Sequence, residues 1–146
     1  LSGTSPHVRG KARILPASDW LTANIERNYH QRAKLVRQWR EATVVACKAA
    51  KLPTGITPVS LHAICWYSTS RAPVRDRLNL APTLKACVDA LCPSRTFKRN
   101  GITYVTAGYG LLVDDSDKHV LATTWVLVPG VRSGVDLTIT EVRDAA

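Results

Sequence analysis

Apolar and polar positions divide the chain into a few strands and helices. Over residues 28–51, apolar side chains recur at intervals of three and four, which predicts a long helix. Residues 59–67 and 119–128 carry alternating apolar side chains and predict two strands, while residues 11–15 and 135–142 predict the first and last strands. In the 119–128 strand, one side carries Val120, Ala122, Thr124, Val126 and Val128.

A second helix and a hairpin are predicted between these strands. Pro82 suits the first position of the helix, with Asn79 or Ala81 near its cap. The Asn-Gly dipeptide at residues 100–101 lies between two β-forming segments and predicts a hairpin with a type I′ turn. The order is then strand, long helix, strand, helix, hairpin and two strands. We therefore expect a single α/β (α+β) domain, with helices packed on a mixed β-sheet.

The two ends and the cysteines add further expectations. Residues 1–10 contain Ser, Gly and Pro without periodicity, which predicts a flexible N-terminal segment before a domain over residues 11–146. No apolar run reaches the roughly 20 residues of a membrane span, so no membrane contact is expected. The four cysteines form no C-x-x-C motif, which favours reduced, partly helix-buried thiols in a cytoplasmic protein.

The excess of basic residues indicates the kind of partner that the protein binds. The chain has 20 Lys and Arg against 11 Asp and Glu, a net charge of +9 and a pI near 9.8. Such an excess favours a polyanion, because each neutralised phosphate releases condensed counterions. We therefore expect nucleic acid as the partner, the alternative being a basic protein without a polyanionic ligand.

Two acidic sites follow apolar segments and are candidates for chemistry. Asp76 follows the predicted central strand, and Asp114, Asp115 and Asp117 follow another apolar run. Carboxylates at the ends of such elements can converge on Mg²⁺, which prefers oxygen ligands and stabilises the charge on a reacting phosphodiester. Spacing alone equally allows Asp76 to cap the following helix and the cluster to form an acidic turn.

The acidic sites lie in segments that resemble the RusA family of Holliday junction resolvases. Residues 75–91, RDRLNLAPTLKACVDAL, resemble the signature segment of that family. Residues 111–120, LLVDDSDKHV, resemble its second acidic block, and residues 135–141, VDLTITE, its terminal strand. The resemblance runs from about residue 11 to residue 142, and its two acidic blocks are the specific part.

The resemblance implies a cytoplasmic, bacterial or phage-encoded homodimer that uses Mg²⁺, or Mn²⁺ in its place, to cut four-way DNA junctions by paired nicks. Asp76 matches the first metal-binding aspartate and Asp115 the last. Lys85 matches a helix lysine suited to the scissile phosphate. Arg75 matches a basic position that touches DNA, and Asn79 the Asn that closes the first block.

Alternatives remain at several of these positions. Asp114 is the alternative ligand to Asp115, because the side chains of adjacent residues in an extended segment point opposite ways. Lys85 is spaced to pair with Asp89 across one helical turn. Further basic residues are expected either to contact DNA or to form a solvated surface: Arg32 and Arg40 on the long helix, and Lys98 and Arg99 at the hairpin tip.

Two departures from the family pattern open a second hypothesis. Leu78 stands where the family has its second aspartate, and Leu cannot bind a metal. Either Asp114 or Asp117 then makes up the charge, or the site is weakened or inactive. Residues 93–109 form an insertion, either a DNA-contacting arm or a neutral loop. The alternative to a nuclease is thus an inactive junction-binding protein on the same fold, and an RNA-binding or structural module is a third. Trp20 is the one tryptophan considered for nucleic-acid contact; Trp39, Trp66 and Trp125 are expected in the core.

Overall fold

The structure is a computed structural model. It describes residues 3–15, 20–21, 29–56, 58–68, 77–114, 116, 118–130 and 132–145, with the backbone alone at 3–7, 77 and 143–145. The elements are β1 Gly3–Ile14, α1 Tyr29–Ala49, β2 Val59–Ser68, a 3-10 turn Arg77–Leu80, α2 Ala81–Leu91, β3 Pro93–Arg99, β4 Ile102–Tyr109, β5 Val120–Gly130 and β6 Gly134–Ala145. The predicted order of elements is confirmed.

A four-stranded mixed sheet forms the centre of the fold. Its strand order is β1-β6-β2-β5, with β6 antiparallel to both neighbours and β2 parallel to β5. The hairpin β3–β4 forms a separate two-stranded sheet. Both helices pack over the same face of the four-stranded sheet, which confirms a single α+β domain with a mixed sheet.

Alternating residues of the central strands build the core under the helices. On β2, Leu61, Ala63 and Cys65 are buried, and on β6 Leu137 and Ile139 are buried. Successive side chains of a strand point to opposite faces, so this period of two turns one face of each strand toward the helices. The central strands were therefore predictable from their apolar alternation.

The first strand begins earlier than the sequence predicts. Residues 1–10 were expected to be flexible, but β1 begins at Gly3 and pairs with β6 along its length. Arg9 and Glu141 also form an ion pair between these strands, with a 2.7 Å N–O distance. Backbone N–H and C=O groups make this ladder whatever the side-chain periodicity, so the apolar pattern could not reveal it.

In β5, the side noted from the sequence turns away from the core after Val120, where the register with β2 shifts. Trp125 and Leu127 pack against the core instead, because they pair in parallel register with the buried Ala63 and Cys65 of β2. Val126 on the other side is exposed. The described helices cover the opposite face of the sheet, so this face of β5 stays in solvent, and the alternation alone did not identify the buried side.

The start of α2 differs slightly from its prediction. The helix begins at Ala81 with Pro82 in its second position, and Leu80 takes the cap position without a side-chain hydrogen bond. A tertiary contact secures this end. The buried hydroxyl of Thr83 donates to the Leu21 carbonyl at 2.6 Å and accepts from the Leu21 N–H at 3.1 Å.

The hairpin turn has the predicted chemistry. Asn100 and Gly101 have φ angles of 53° and 76°, the pair of positive values that a type I′ turn requires. Among the described residues, no helix is long and apolar enough to cross a membrane.

Candidate functional site

The structure describes some residues of the predicted site and not others. Arg75, Asp76 and Asp115 lie outside the described residues, so their roles stay predictions. Lys85, Asn79 and Asp114 are described and can be placed. Two of these undescribed residues come shortly before described elements in the chain. Residue 76 leads directly into the 3-10 turn before α2, and residue 115 lies just ahead of β5.

An open groove separates α2 from β5. One wall consists of Ala81, Leu84, Lys85 and Val88 of α2, and the other of residues 120–123 and Trp125 of β5. Its volume is about 350 Å³. Among the described strands, β5 is the one at this edge of the sheet. We call this cleft the α2–β5 groove.

Lys85 is the charged residue on the helical wall of the groove. Its ammonium lies 2.9 Å from Oδ1 of Asp89, which confirms the predicted pairing across one turn of α2. The Lys85 side chain is 65% exposed. An exposed pair of this kind contributes only about 0.2–0.5 kcal/mol, so a phosphate oxygen at the groove can compete for the ammonium.

Asp114 lies in a turn before β5 and is an ionised carboxylate. Its Oδ1 accepts the backbone N–H of Ser116 at 2.8 Å, and its Oδ2 lies 3.4 Å from Nε2 of His119. Hydrogen bonds from the side chain and backbone of Ser116 lower the pKa of Asp114, with smaller contributions from the charges of His119 and Lys118. His119 had no assigned partner from the sequence, because a spacing of five residues in a turn carries no pairing signal.

Leu78 occupies the position for which the resemblance implied a second aspartate. Leu78 lies in the 3-10 turn with 58% of its surface exposed, and Asn79 beside it is half-buried. Within the residues that the structure describes, no three His, Cys, Asp or Glu side chains group closely enough to hold a metal. Hard oxygen donors nevertheless suit Mg²⁺, and one or two carboxylates suffice when water and phosphate complete its shell. Asp114 fits that requirement as an ionised group.

Arg40 makes structural contacts that the sequence did not reveal. Its guanidinium donates to the carbonyl of Ala107 in β4 at 3.0 Å and to that of Asp89 in α2 at 3.4 Å. Its Nη1 also lies 3.8 Å from the Asp89 carboxylate, and the side chain is mostly buried. Arg40 therefore ties α1 to α2 and to the hairpin, which weighs against its predicted contact with DNA.

The other basic residues of the prediction face solvent. Arg32 lies exposed near the start of α1, and Lys98 and Arg99 lie exposed near the hairpin tip. None of these three residues lines the α2–β5 groove. The charges that were predicted as one DNA-binding set thus fall on different elements.

The four cysteines, Trp39 and Trp125 pack in or against the core as expected, whereas Trp66 is half-buried and donates its indole N–H to Asp136. Trp20, considered for nucleic-acid contact, stacks on the fully buried Trp39 with ring centroids 5.1 Å apart and packs against the core. All four cysteines are free and buried. Burial raises the pKa of Cys47 to about 11 and those of Cys65 and Cys87 to about 12, so these thiols stay protonated and unreactive.

Comparison with known proteins adds no family or relative: no protein-family model matches this chain, and no curated protein matches it.

Proposed function

We propose that this protein is a Mg²⁺-dependent endonuclease that cuts branched DNA and resolves four-way junctions by paired nicks. One observation supports it most. The two elements that bound the α2–β5 groove are the two that follow the acidic segments, since α2 follows Asp76 and β5 follows Asp115. Lys85, from the wall of that groove, supplies the positive charge that a scissile phosphate needs.

Each residue has a distinct role in this proposal. Asp76 and Asp115 would hold the metal, with the ionised Asp114 as the alternative donor. When bound, Mg²⁺ supplies charge stabilisation at the phosphorus. Lys85 leaves its exposed pair with Asp89 and donates to a non-bridging phosphate oxygen. A water oxygen bonds to phosphorus, the sugar oxygen departs, and the proton lost by water balances the one taken up by the leaving group.

A homodimer would account for paired nicks. A two-fold dimer presents two equivalent sites, and a four-way junction has matching pseudo-symmetry. Each site would then cut one of two opposed strands. The net charge of +9 supports binding of the junction arms through their phosphates.

Cleavage of a labelled junction tests the proposal. The wild-type protein should nick a synthetic four-way junction, but not a linear duplex of the same sequence, and only with Mg²⁺ or Mn²⁺. Asp76→Asn, Asp115→Asn and Lys85→Met should each reduce the rate at least about 100-fold, since each removes a group that acts on the transition state. Asp136→Asn, a carboxylate paired with Arg13 on the far strands, is the matched control and should cut normally.

Leu78 favours a second candidate function, that of a junction-binding protein without cleavage. Its exposed apolar side chain removes one carboxylate from the family arrangement. This candidate expects tight, salt-sensitive binding to the junction and no nicks with either metal. Leu78→Asp would then introduce metal-dependent nicking into a protein that otherwise only binds. Normal cleavage by Asp76→Asn or by Asp115→Asn would contradict the proposed ligands.

A further inference from the structure

A second groove lies between α1 and the hairpin, away from the α2–β5 groove. Tyr29, Arg32 and Arg37 line it from α1, and Phe97 and Tyr104 line it from the hairpin. Its volume is about 540 Å³. We call it the hairpin groove. Its residues do not overlap with those of the α2–β5 groove.

The hairpin side of this groove carries a pair of exposed aromatic rings. Phe97 and Tyr104 are cross-strand partners in the β3–β4 ladder, and their rings stack with centroids 5.4 Å apart and planes 20° apart. Phe97 is 45% exposed and Tyr104 42% exposed. Tyr29, on the opposite wall, is also largely exposed. Large apolar rings are expensive to leave in water, so their grouping around one groove indicates a ligand.

Basic residues lie in this groove and on the hairpin beside it. The hairpin segment 93–109 contains Arg95, Lys98 and Arg99 and no acidic residue. Arg32 and Arg37 add two cations from α1. Glu41 is the carboxylate that lines the groove, so the cations outnumber it. The charge of this surface is thus complementary to a polyanion rather than to a basic or apolar peptide.

The hairpin is fixed at its base, so its rings are held in place. Ser94 Oγ donates to the Gly108 carbonyl at 3.1 Å and accepts the Gly108 N–H at 3.0 Å. Arg40 donates to Ala107, and the Gly110 N–H donates to the Leu91 carbonyl at 3.1 Å. A preorganised surface of this kind loses little conformational entropy when it binds.

We propose that the hairpin groove binds an unpaired DNA strand, with one or two bases stacked on Phe97 and Tyr104 and the phosphates beside Arg32 and Arg37. Every base has a π-face, and aromatic rings along a basic groove are the usual means of binding single strands without sequence preference. In a duplex those faces are already stacked. The inference rests on the proposed function for the choice of DNA, since a nuclease of branched DNA meets unpaired bases at branch points.

Binding of a fluorescent oligothymidine, measured by anisotropy in EDTA, tests this proposal without any cleavage. Phe97→Leu and Tyr104→Leu keep apolar volume and remove the aromatic face, so each should weaken binding about tenfold, within the range measured for one stacked base. Phe97→Trp should retain binding. Val8→Ala, at an exposed apolar residue of β1 that lines neither groove, is the matched control and should bind like the wild type.

The salt dependence of the same binding tests the phosphate contacts. Arg32→Gln and Arg37→Gln should each reduce the slope of log K against log salt by about 0.7, the value for one contact to a single strand. Lys11→Gln, an exposed basic residue on β1, carries the same charge change away from the groove and should leave the slope nearly unchanged.

Three outcomes would overturn the proposal. The first is that Phe97→Leu binds oligothymidine as tightly as the wild type. The second is that Phe97→Leu loses as much affinity for a blunt duplex as for the single strand, which would make the hairpin a general phosphate contact. The third is a change of oligomeric state in Phe97→Leu without loss of DNA binding, which would make the groove an interface between copies. Because EDTA prevents metal-dependent cleavage, single-strand binding that depends on Phe97 stands even if junction cleavage fails.

Discussion

The four-stranded sheet and the β3–β4 hairpin both contain antiparallel pairs, yet they are stabilised by different interactions. In β2, alternate residues are buried against the helices, whereas all seven residues of β3 are exposed. The sheet is stabilised by the area it removes from water, and the hairpin by its turn and by polar contacts at its base. Where burial does not dictate side chains, a chain is free to use aromatic and basic residues for binding.

The two grooves repeat this contrast. The α2–β5 groove is bounded by elements whose other faces form the core, so Lys85 lies on a rigid helix. The hairpin groove has core packing on its α1 side alone. Rigid elements suit groups that must reach a reacting phosphate within a fraction of an ångström. A hairpin anchored at its base suits a strand that is bound but not cut at that place.

The largest expected effect on stability comes from removing an aromatic ring from the core, compared with removing one from the hairpin. Trp39→Ala removes a fully buried ring from the core and should lower the free energy of unfolding by about 3–5 kcal/mol. Phe97→Ala should change it by about 0.5 kcal/mol or less, because its ring is half-exposed. Urea unfolding followed by tryptophan fluorescence and circular dichroism measures both. Similar losses of unfolding free energy in the two variants would mean that burial stabilises the hairpin as much as the core.

An intermediate effect is expected at the base of the hairpin. A Cβ on Gly108 would lie 2.0 Å from the Cys92 carbonyl oxygen and 2.7 Å from the Pro93 carbonyl carbon. These are backbone atoms, so Gly108→Ala must displace one hairpin strand, and we expect a loss of about 1–3 kcal/mol. Hydrogen exchange should increase in β3 and β4 while β2 and β6 keep their protection. Thr103→Ala, at an exposed position of β4, is the control.

The smallest expected effect concerns an ion pair on the sheet. Arg13 donates to both carboxylate oxygens of Asp136 at 2.7 and 2.9 Å, and Trp66 donates to Oδ2 at 2.8 Å. The hydrogen bond from Arg13, aided by that from Trp66, holds the pKa of Asp136 below its ordinary value despite partial desolvation. Asp136 therefore stabilises the fold above the unfolded pKa of about 3.9, and this contribution disappears as pH falls through the lower folded pKa.

Urea midpoints at pH 7, 5 and 3 measure this contribution. Asp136→Asn should be less stable than the wild type at pH 7 and pH 5, and the difference should shrink at pH 3. A difference that grows toward low pH would mean that the folded pKa is raised rather than lowered.

Local features were predictable from the sequence. The turn at residues 100–101, the two helices and the Lys85–Asp89 pair all depend on residues within one turn of each other. Their geometry is set by φ preferences and by the 3.6-residue period, so a short window of sequence contains the cause. The assignment of Asp76 and Asp115 as metal ligands came from the resemblance, and both residues lie outside the described part of the chain.

Contacts between distant residues were not predictable. The pairing of β1 with β6, the stacking of Trp20 on Trp39 and the hydrogen bonds of Thr83 each join parts of the chain that no local pattern connects. Arg40 shows the consequence for function. Its charge suggested DNA, but the neighbouring carbonyls and the Asp89 carboxylate that occupy it are 49 or more residues away.

The order of the elements, the type I′ turn and the basic charge follow from the residues present and their nearest neighbours, so they could be predicted without a structure. The tertiary structure decided which face of β5 is buried and which aromatic rings remain exposed beside Arg32 and Arg37. Burial depends on what packs against a side chain, and that partner is chosen by strand pairing and helix packing over the whole chain.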